Sequence, residues 1–85
     1  MNVNKLRTGK VTHLRDFRMK LEISQLTLAA RSGVSLGTIN KIEKAKNHKQ
    51  MEGVGVGRLI TLGKSLGVSA ADIYPQLLRE PSSQW

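Results

Sequence analysis

Eighty-five residues make one small domain with a modest core and marginal stability. The chain has no cysteine, which excludes disulfides and thiolate metal sites, and His13 and His48 lack the spacing of a paired metal site. The formal net charge is +8. It is one-sided: residues 1–50 carry 11 Lys and Arg against Asp16, Glu22 and Glu43, whereas residues 51–85 carry three of each sign. Such asymmetry points to a polyanionic partner, above all nucleic acid. No cofactor is expected at this size. No apolar run approaches the ~18 residues of a membrane span, and the N-terminus lacks the apolar segment of a secretory signal. The sequence therefore reads as that of a cytoplasmic protein with no membrane partner.

Residues 1–10 are polar, carry Lys5, Arg7 and Lys10, and show no helical period; they read as a basic arm. A domain follows over residues 11–75. Its first helix is predicted from about His13 to Lys20, with Thr12 as N-cap and Leu14, Phe17, Arg18 and Leu21 on one face. Three later helices share one opening device. In ISQLTL, VSLGTI and VSAADI a β-branched residue precedes a serine, and a large aliphatic residue stands four positions after it. The serine is an N-cap and the flanking pair a hydrophobic staple. These starts fall at about Gln25, Leu36 and Ala70. The second helix runs to Ser32 and stops at Gly33, which tolerates the left-handed conformation. Only Val34 and Ser35 then separate it from the third helix, Leu36 to about Lys44. So short a link sets the two at a sharp angle, a helix-turn-helix.

Residues 45–57 contain EGVGVG, which matches neither a phosphate loop nor a dinucleotide fingerprint and reads as a flexible connection. The fourth helix is predicted from about Gly57 to Leu66, with Leu59, Ile60, Leu62 and Leu66 as its apolar set and Gly67 as its stop. The fifth runs from about Ala70 to Tyr74, and Pro75 discourages its continuation. Residues 76–85 form a tail. No strand pattern stands out, so the fold class is all-α, a five-helix bundle.

The third helix buries Ile39 and Ile42 and leaves Leu36, Gly37, Asn40, Lys41 and Lys44 outward. An α-helix fits the major groove of DNA and meets base edges with its N-terminal residues. Asn40 suits an adenine edge, Lys41 guanine acceptors or a phosphate, and Leu36 a thymine methyl. Gly37 permits close approach. Gln25 and Thr27, at the start of the second helix, sit where backbone N–H groups and the helix dipole favour phosphate; for Thr27 simple capping is the competing account. Lys46, Asn47, His48 and Lys49 follow the third helix and can meet phosphates, or form a solvated basic loop. No nucleophile, base and orienting group are placed together, so no catalytic residues, no metal site and no enzymatic activity are expected.

LRDFRMKLEISQLTLAARSGVSLGTINKIEKAK, followed by LITLGKSLGVSAADIYP, resembles the Cro and phage-repressor type of helix-turn-helix domain, the lambda-repressor-like or XRE family. The resemblance covers about Leu14 to Tyr74. It implies five helices with the third as recognition helix, Leu36, Gly37, Asn40 and Lys41 facing bases, and Gln25 holding a phosphate. It implies that Ser35 and Thr38 help at the backbone and that Arg18 pairs with Glu43. Two departures stand out: Ala45 where the family often has glycine, and a longer segment before the fourth helix, so that the third helix extends or the loop is rebuilt. The expected function is that of a bacterial or phage transcription regulator, repressor-like, binding a palindromic double-stranded operator as a homodimer. Ile73, Leu77, Leu78 and Trp85 are available for that interface or for closing the core. The alternative is an adaptor or antitoxin whose protein partner docks on residues 45–57 or on the tail.

Overall fold

The computed structural model describes residues 11–79; the basic arm 1–10 and the tail beyond residue 79, Trp85 included, lie outside the described residues. Among the described residues the chain is all helical. The elements are α1 Leu14–Lys20, α2 Gln25–Ser32, α3 Leu36–Lys44, a 3-10 turn His48–Met51, α4 Val56–Leu66, α5 Ala70–Ile73 and α6 Gln76–Arg79. The five expected helices are all present, and two single turns add to them. No helix is long and apolar enough to cross a membrane among these residues.

The three serine starts fix the layout. Ser24 Oγ accepts the Thr27 N–H at 3.0 Å, Ser35 Oγ the Thr38 N–H at 3.2 Å, and Ser69 Oγ the Asp72 N–H at 3.0 Å. Asp72 Oδ2 in turn accepts the Ser69 N–H at 2.9 Å, completing a reciprocal capping box. That backbone N–H, and then the Ser69 hydroxyl, hold the Asp72 carboxyl below its ordinary pKa. The aliphatic residue four positions after each serine, Leu28, Ile39 or Ile73, is fully buried. Gly33 ends α2 at φ +80 and Gly67 ends α4 at φ +79, the left-handed position that a side chain resists.

The core is aliphatic: Leu14, Leu28, Ile39, Ile42, Leu59, Leu62 and Ile73 are its fully buried side chains. α4 packs on α2 and α5, and α3 on α1 and α2. The His13 N–H donates to the Ile73 carbonyl at 2.8 Å, joining the start of α1 to the end of α5.

Several expectations are corrected. Thr12 is not the cap of α1. The residue before that helix is His13, without a side-chain cap, and the buried Thr12 hydroxyl instead donates to the Ile42 carbonyl at 2.8 Å. Leu21 leaves the apolar face because α1 is only seven residues long. It lies past the helix end, half exposed, and Glu22 then turns the chain at φ +55. On α4 the buried stripe is Leu59, Leu62, Gly63 and Leu66, spaced i, i+3, i+4, i+7, which puts Ile60 at its edge, 45% exposed. Gly63 is required there: a Cβ would strike the Val68 carbonyl oxygen. Tyr74 caps α5 rather than continuing it.

The connection after α3 differs most from expectation. α3 does not lengthen; Ala45 is already extended at φ −61, ψ 128, a conformation that needs no glycine. Residues 45–55 are not an open linker. Ala45 and Met51 are buried and Val54 packs against the core. Gly53, at φ +91, turns the chain toward α4.

Candidate nucleic-acid interface

α2 and α3 meet through Gly33, Val34 and Ser35. The Gly33 N–H donates to the Ala29 carbonyl at 2.8 Å, closing α2, and Val34 is buried beneath the turn. Ile39 and Ile42 anchor α3 in the core. Its opposite face therefore points outward. Leu36 is 44% exposed; Gly37, Lys41 and Lys44 are exposed, and Asn40 is half-buried. Among the described residues nothing lies within 4 Å of the space a Gly37 side chain would take, so internal packing does not demand that glycine.

Ser24 with Thr27 and Ser35 with Thr38 form matching pairs at the starts of α2 and α3. In each the serine hydroxyl donates to the threonine Oγ1 at 3.0 Å. Thr27 and Thr38 are half-buried and Ser35 is exposed. Both hydroxyl pairs sit on first turns, where the positive dipole end attracts anions.

Glu43 is the hub beneath this surface. It takes Arg18 Nε at 2.7 Å and Arg18 Nη2 at 2.9 Å in a bidentate pair, a charge-assisted geometry with two parallel donors. Gln25 Nε2 donates to the same carboxylate at 3.0 Å, while Arg18 Nη1 donates to the Ile23 carbonyl at 2.8 Å. The hydrogen-bonded carboxylate raises the Arg18 pKa, outweighing burial, which acts the other way. One cluster thus locks α1, the entry to α2, and α3 together. Gln25 is half-buried, with its amide N–H group already engaged.

Beyond α3 the basic residues stand on a built surface. The Lys41 ammonium donates to the Glu52 carbonyl at 2.9 Å. Asn47 Oδ1 accepts the Gln50 N–H at 2.9 Å and caps the 3-10 turn. Gln50 Oε1 accepts the Lys46 N–H at 2.6 Å. His48 Nδ1 lies 2.9 Å from the Tyr74 hydroxyl, with the two rings 5.7 Å apart. Lys44, Lys46 and Lys49 are exposed. Sequence reasoning missed Gln50, Met51 and the Glu52 carbonyl. The Asn47-x-x-Gln50 spacing carried a short-range capping signal; the Lys41 to Glu52 bond carried none.

Two helices joined by a tight turn, the first braced against the core and the second presenting a polar outer face, define a helix-turn-helix. Residues 14–52 match the protein-family model described as Helix-turn-helix. That match supports the resemblance to the XRE, lambda-repressor-like helix-turn-helix family. No curated protein and no solved structure gives a significant match.

Proposed function

We propose that this protein is a sequence-specific, double-stranded DNA-binding transcription regulator of the repressor-like kind, acting in the cytoplasm. α3 enters the major groove. Leu36, Gly37 and Asn40 meet base edges, with Lys41 at their border. Ser35, Thr38, Gln25 and Thr27 lie along the flanking backbone on one side, and Lys44, Lys46, Asn47 and Lys49 on the other. The observation that carries this reading is the outer face of α3. It combines an exposed leucine, a glycine no internal packing demands, and an amide, on a helix anchored by two fully buried isoleucines.

Two copies would bind a palindromic operator, because one short helix reads few base pairs. The half-sites would then lie about 34–36 Å apart or a multiple of that. The balanced charge of residues 51–85 makes that half the easier one to bring against a second basic copy.

Selection from a randomised duplex pool tests the reading, with wild type beside Leu36→Ala/Asn40→Ala. A symmetric motif enriched by wild type and relaxed in the variant is the expected result. Weak, salt-labile binding without a motif, equal for both proteins, would leave only charge at work and put a protein-partner role first.

A further inference from the structure

We draw no further inference here: the strongest candidate, the surface patch on α4 where the exposed Val56 and Ile60 stand one turn apart, carries nothing because nothing in the structure shows what covers it.

Discussion

At its start α3 is fixed by residues close in sequence. Gly33 closes on Ala29, Ser35 caps Thr38, and the Ile39 N–H returns to the Ser35 carbonyl, none of these partners more than four positions apart. At its end the partners are distant. Lys41 reaches Glu52, 11 residues away; Glu43 takes Gln25 and Arg18 from 18 and 25 residues away; the Ile42 carbonyl takes Thr12 from 30. The start is therefore shaped by its neighbours in sequence and the end only by the fold itself. The face proposed to meet the bases belongs to the locally shaped start. The distant partners that hold it in place cluster at the end.

Substitutions can break or sharpen this contrast. The largest effect is expected from Glu43→Ala, which strands the nearly buried Arg18 guanidinium. A loss of about 3 kcal/mol follows from removing one partner of such a pair, read as a lower urea midpoint; an unmoved midpoint would show that the distant partners carry little. Met51→Ala should come next. Its side chain is 4% exposed, and truncation of a buried methionine costs about 2–3 kcal/mol, measurable by thermal unfolding.

Changes at the start of α3 should be smaller. Gly33→Ala forces a side chain into φ +80, at about 1 kcal/mol, and Ser35→Ala removes a cap for about the same. Because the two are neighbours in one turn, the double variant measures their coupling. A combined loss above about 3 kcal/mol would mean the turn depends on more than local rules. Asn47→Ala is expected to be smallest for global stability, below about 0.5 kcal/mol, since its bond lies on an exposed turn. Its effect should appear instead as faster amide exchange confined to residues 46–52. A global loss equal to that of Met51→Ala would erase the distinction between the turn and its anchors.

The same contrast explains what could be read in the sequence. Ser24, Ser35 and Ser69 announce themselves through residues within five positions, so the starts of α2, α3 and α5 were legible to the residue. Gly33 and Gly67 likewise mark ends by their own conformational freedom. Thr12 looked like a cap because a threonine before an apolar period usually is one, but a buried carbonyl 30 residues away competes for its hydroxyl. Ile60 carried the right hydropathy and the wrong phase. The folded connection was hidden altogether: its glycines suggested looseness, while its order comes from Ala45, Met51 and Val54 meeting a core assembled elsewhere. For the outward face of α3 the sequence supplied residue types and spacing. It did not supply the bond that occupies Lys41.

The serine starts also bear on the order of events in folding. A helix whose first turn is set within a few residues forms without waiting for long-range closure, whereas pairing between residues 12 and 42 or 18 and 43 requires most of the chain to come together. The turn between α2 and α3 is thus suited to early formation and the lysine-bearing connection to late formation. Partial openings of the native state should run in reverse, releasing the connection first while the start of α3 keeps its shape.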